Sequence, residues 1–156
     1  MSDQAARDIL VAAAKALART DGLGPSLSVL LDAIAPAVEA GSAAVFVVGA
    51  GPEDLTLTAS YGLPEAAAAA LIAAVGNRGH PIARSAAGPG QAYDVLPTAP
   101  GGPALRSHLT LVTRREGREV VVGVLALAHE RPIASDMRPL LEAAADLLAV
   151  AITRAR

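Results

Sequence analysis

Two adjacent runs limit this chain more than any other feature. "LRSHLTLVTR" and "REVVVGVLALAH" are separated only by the turn signal around "REG". The second run is almost wholly apolar, so it predicts a central strand covered on both faces of a sheet. The first run carries a parity. Leu105, Leu109 and Leu111 fall on one face of an extended strand, and Arg106, His108, Thr110 and Val112 fall on the other. Its leucines need a greasy layer behind the sheet. Its polar row then looks toward whatever covers the front.

The remaining elements supply both covers. Residues 3–20 read as a helix with a stripe at Ile9, Leu10, Ala13, Ala14 and Leu17. "DGLGP" stops it, Ser26 is the expected cap of a second helix, and Leu27, Leu30, Leu31, Ile34 and Val38 form that helix's buried face. Pro36 inside the pattern predicts a kink or an early end. "SAAVFVVGAG" and "LTLTASY" read as a hairpin, and "GLPEAAAAALIAAVG" as a third helix. His80 to Ala86 fit one or two helical turns with Pro81 at the first position. "QAYDVLP" suits a short edge strand and "TAPGGP" a loop. A final helix follows Ser135, its expected N-cap, and buries Leu140, Leu141, Ala144, Leu147, Leu148 and Ala151. This order predicts an α+β layer fold. An antiparallel sheet carries the terminal helices on one face and the middle helix and a loop on the other. At 156 residues a single domain, 1–156, is expected, with the helix of 1–22 packing on that of 135–154.

Several function classes fall away. The chain has no cysteine, which removes disulfides, thiolate nucleophiles, cysteine-ligated metals and thioether-linked chromophores. The net charge is −2 and Lys15 is the only lysine, so no basic stripe is available for nucleic acid. Arg114, Arg115 and Arg118 flank a hairpin turn and read as solvated. No apolar run spans a bilayer and no signal peptide is read, so a cytoplasmic protein without membrane partners is expected. His80, His108 and His129 lack metal-ligand spacing, and no metal site is expected. Ser107 and His108 are strand neighbours facing opposite ways, so they do not form a nucleophile–base pair. "GPG" and "PGG" do not make a phosphate loop. No catalytic constellation is found, and an enzyme is not expected.

The order and spacing of "LSVLLDAIAPAV", "LTLTASYGLP", "GHPIARSAAGPGQAYD", "LRSHLTLV", "VVVGVLALA" and "DMRPLLEAAADLLAVAITR" resemble a stand-alone GAF domain. The resemblance covers the whole chain and implies a GAF/PAS-like sheet of about six strands with a pocket opposite the terminal helices. It also implies a sensory module in signal transduction that binds small molecules and dimerises through those helices. The sequence departs from known liganded branches of this family. Without cysteine it cannot hold a covalent bilin or run the thiol chemistry of free methionine sulfoxide reductases. The Asn-Lys-x-x-x-Phe-x-x-x-Asp-Glu signature of cyclic-nucleotide GAF domains is missing as well.

Pocket candidates follow from parity and from the only concentrated set of polar side chains. They are His80, Arg84, Tyr93, Asp94, Arg106, His108 and Thr110. Arg84 stands one turn from His80, so both can face one way. Arg84 and Arg106 together suit an anionic ligand, since guanidinium forks match carboxylates. The bland readings stand beside these: Arg84 pairs with Asp94, Arg106 is solvated, and His108 and His80 are structural or surface residues. With only Phe46, Tyr61 and Tyr93 as rings, a large stacked chromophore is disfavoured. No cofactor is expected. A small anionic or aromatic metabolite is the expected ligand class, with output through a separate effector protein. The alternative is a ligandless interaction module whose stripe at Ile9, Ala13, Ala16, Leu17, Leu148 and Ile152 pairs between two subunits in a homodimer.

Overall fold

The computed structural model describes residues 3–88, 90–96 and 102–156. Eleven elements run in order: α1 (Asp3–Arg19), α2 (Leu23–Ala37), β1 (Ala40–Val48), β2 (Leu55–Tyr61), α3 (Glu65–Val75), α4 (Pro81–Ala87), β3 (Gln91–Val95), β4 (Leu105–Arg115), β5 (Arg118–His129), a 3₁₀ turn at Ser135–Met137, and α5 (Arg138–Arg154). The strands form one antiparallel sheet in the order β2-β1-β5-β4-β3. The described residues hold five strands, against the expected six or so. Most of the loop expected at "TAPGGP" lies outside the described residues.

The apolar β5 is paired on both sides, to β1 and to β4, as its composition demands. The β4–β5 hairpin closes through Glu116 and Gly117, both left-handed at φ 54 and 76. That is the two-residue turn whose twist matches a hairpin, and glycine takes its second position without steric cost. Behind the sheet, Leu109, Leu111, Leu125, Leu127, Val45 and Ala43 pack on Leu27, Leu30, Leu31 and Ile34 of α2 and on Leu141, Ala144, Leu148 and Ile152 of α5. α1 touches both α2 and α5 and lies outside them. In front, Phe46, Val48 and Val124 pack against Leu71 and Val75 of α3 and Ile82 and Ala86 of α4. Each large side chain fully withdrawn from water contributes about 1.5–3 kcal/mol, so the rear layer carries most of the burial.

Two expectations about helix ends are corrected. α2 starts at Leu23, so Pro25 sits in its first turn, where a missing N–H costs nothing. Ser26 is therefore inside the helix, with its hydroxyl donating to the Thr20 carbonyl at 3.2 Å. Ser135 belongs to the 3₁₀ turn, and α5 begins only at Arg138 with proline in its first turn. The stripe expected to pair between subunits is largely used inside the chain: Ala13, Leu148 and Ile152 are buried in its own core.

Candidate functional site

Register places the front-facing residues in rows across the sheet. One row runs Phe46, Val124, Thr110; the next runs Ala44, Ala126, His108, Ala92; the third runs Ser42, Ala128, Arg106, Val95. Phe46 and Val124 fill the space under the helices. The next two rows offer β1 and β5 little beyond methyl groups, and a cavity of about 600 Å³ opens above them. Its roof comes from α3 and the segments beside it, including Leu63, Pro64, Ala67 and Leu71. The wall is apolar except where Ser42, His80 and Arg106 meet it.

Two of those groups are ionisable. The His80 ring caps α4, its Nδ1 accepting from the Ile82 N–H at 3.2 Å. A neutral ring so held carries its proton on Nε2, as a free donor. Burial, then the charge of Arg106, lower the pKa of His80. Arg106 is half-buried, burial lowers its pKa, and among the described residues it has no ion-pair or hydrogen-bond partner.

A second cavity of about 380 Å³ lies over β4 and the edge strand β3. Arg84, Ser85, His108, Thr110, Gln91, Ala92 and Val95 line it, and Pro81 lines both cavities. Thr110 is committed to α4, donating to the Ser85 carbonyl at 2.9 Å. His108 is 1% exposed and its Nε2 has no hydrogen-bond partner. Burial first, then the charges of Arg106 and His80, lower its pKa to about 4.

The structure thus brings His80 and Arg106 to one cavity and Arg84, His108 and Thr110 to its neighbour. Tyr93 and Asp94 line neither. Between the pairs Ala92–His108 and Val95–Arg106, β3 has two residues where β4 has only Ser107. This bulge, with Asp94 left-handed at φ 56, sends both side chains to the rear face. There Asp94 accepts from the Ile133 N–H at 2.9 Å and pairs with Arg138 at 3.6 Å, so Arg84 is not its partner. The Arg138 guanidinium lies 4.3 Å over the Tyr93 ring. Burial and the charge of Glu142 push the Tyr93 phenol up to about 12.

Sequence reasoning missed a buried serine–histidine contact. Ser107 and His129, 0% and 2% exposed, approach to 2.8 Å through Oγ and Nε2. His129 Nδ1 lies 2.7 Å from the Arg131 carbonyl, which only accepts, so Nδ1 donates and Ser107 donates to Nε2. Ser107 in turn accepts from the Asp94 N–H at 3.1 Å. The pair is sealed from solvent and lines neither cavity, so it acts as a clamp joining β3, β4 and the strand end at His129. The shared parity of Ser107 and His129 in one hairpin was the available signal. Among the described residues no cluster of three His, Asp or Glu is placed to hold a metal, and no helix is long and apolar enough to cross a membrane.

No protein-family model matches the sequence. No curated protein matches it either. Solved structures do. The GAF domain from an Acinetobacter phosphoenolpyruvate-protein phosphotransferase superposes with a TM-score of 0.77 at 16% identity, covering 99% of this chain and 96% of that one. The GAF domain of a putative sensor histidine kinase from Pseudomonas syringae pv. tomato gives 0.69 at 22% identity, covering 98% and 91%. Free methionine-R-sulfoxide reductase from Neisseria meningitidis, solved with its substrate, gives 0.70 at 15%, covering 98% and 92%. These likenesses run nearly end to end in both partners: the chain has the fold of a GAF domain.

Proposed function

We propose that this chain is a sensory or regulatory module of GAF type that binds a small anionic metabolite between the sheet and α3 and passes the signal to a separate effector protein. The observation that carries the reading is Arg106, a half-buried guanidinium with no carboxylate partner among the described residues, on the wall of an otherwise apolar cavity of about 600 Å³. Such a cation is an unmet electrostatic demand that an anion satisfies, with His80 as a second donor and the alanine floor in contact with the ligand's apolar body. The occurrence of this fold in a putative sensor histidine kinase supports a signalling context. Binding without catalysis is favoured because the serine–histidine pair found among the described residues is walled off, and the chain lacks cysteine.

A thermal-shift screen of aliphatic carboxylates, aromatic acids, phosphates and nucleotides tests this. At least one anionic class raises Tm by mass action, and Arg106→Gln weakens its binding about 10–100-fold, the worth of one hydrogen bond to a charged group. Failure of every class to move Tm overturns the reading.

A second reading, a dimerisation module, is favoured by Val11 and Val150, 52% and 43% exposed on the adjoining helices α1 and α5. Light scattering separates the two: a monomer at high micromolar concentration counts against helix pairing.

A further inference from the structure

The second cavity has a charge pattern that the first does not explain. Arg84 and His108 line it, while Arg106 and His80 line its neighbour, and neither lining includes an Asp or Glu. The chain as a whole carries 15 acidic residues against 13 Lys and Arg, so four basic side chains without a carboxylate stand against the general balance. Arg106 and His108 are two residues apart on β4, in neighbouring rows of the sheet, and Pro81 borders both cavities. The two spaces therefore lie side by side along one strand.

His108 gives the second cavity a further demand. Its imidazole is buried, its Nε2 lacks a partner, and orphaned buried polar atoms call for an explanation. The other polar side chain of β4 at this cavity, Thr110, is already committed to the Ser85 and Gly88 carbonyls. Arg84 is exposed at the rim, free to close over an acid seated there.

We propose that the second cavity is a subsite for another acidic group of the same ligand, so that the metabolite is a dicarboxylate with one end on Arg106 and His80 and the other on Arg84 and His108. This rests on the reading that the first cavity takes an anion. Each carboxylate answers one guanidinium, Arg106 or Arg84, with a neutral imidazole beside it.

Isothermal titration of the full chain with the α,ω-dicarboxylate series from malonate to suberate, each beside the monocarboxylate of equal length, tests the proposal. One dicarboxylate binds about tenfold or more tighter than its matched monoacid. Arg84→Gln erases that advantage and leaves the monoacid affinity unchanged; Arg106→Gln lowers both. Arg84 is exposed, so its variant folds, and an unchanged Tm verifies this. If monoacids bind but no dicarboxylate outdoes its partner, or the advantage survives Arg84→Gln and Arg84→Glu, the subsite is overturned and the first reading stands. If neither series binds and the wider anion screen is also silent, both fall.

Discussion

An imidazole sealed beneath a sheet's cover titrates unlike one in water. His108 has a pKa of about 4 in the folded chain against 6.5 for the free side chain. Above pH 6.5 both states hold it neutral. As pH falls from 6.5 toward 4, the unfolded chain takes up a proton that the folded one refuses, so stability declines. Below about 4 the contribution is flat. The full difference is at most roughly 3 kcal/mol. His80 is shifted in the same direction. Urea unfolding between pH 7.5 and pH 4 should therefore show wild type losing more stability than His108→Asn, with the two curves converging in slope above neutrality. Parallel curves would place His108 in contact with water. At this scale the sequence was legible where strand parity ran unbroken: Arg106, His108 and Thr110 face forward as alternation requires. It was not legible at Tyr93 and Asp94. A bulge is fixed by a partner strand's Ser107 and by the backbone donor at Ile133, neither of which is local to "QAYDV".

Among the elements, β5 has the least freedom. Gly123 sits opposite Val47 on one side and Leu111 on the other. A Cβ there would lie 2.4 Å from the Phe46 carbonyl oxygen and within 3.3 Å of Leu111 and Ile152. Backbone does not yield as a side chain does, so Gly123→Ala forces β1 and β5 apart. The expected cost is about 1–3 kcal/mol, read as a lower denaturant midpoint at unchanged slope. Gly123 stands inside a run that otherwise reads as an uninterrupted strand, and nothing in its neighbours announces the close approach. Helix existence and order were legible from periodicity. Helix starts were less so, because Ser26 and Ser135 fit the composition of a cap while Pro25 and Pro139 moved the first turns.

Across the whole molecule, the layer arrangement followed from one argument, that a strand like β5 needs cover on both faces. The space inside the front cover did not follow, since it depends on which side chains stand opposite one another across three strands. Ala126 lies at the centre of that floor, flanked by Ala44 and His108. Ala126→Leu should fill the cavity from below at a cost of about 1–3 kcal/mol in stability. It should also abolish any anion-induced rise in Tm, in a thermal melt run beside Arg106→Gln. Retention of the full shift would move the binding site elsewhere.

The alanine floor has one more consequence. Ala44, Ala126 and Ala128 alternate with Val45, Leu125 and Leu127, which belong to the opposite layer. Enlarging or shrinking a floor residue therefore leaves the anchoring side of the same strand untouched. If the proposed anion binds there, a longer or shorter guest can be fitted by single substitutions, with specificity adjusted independently of the scaffold that presents it.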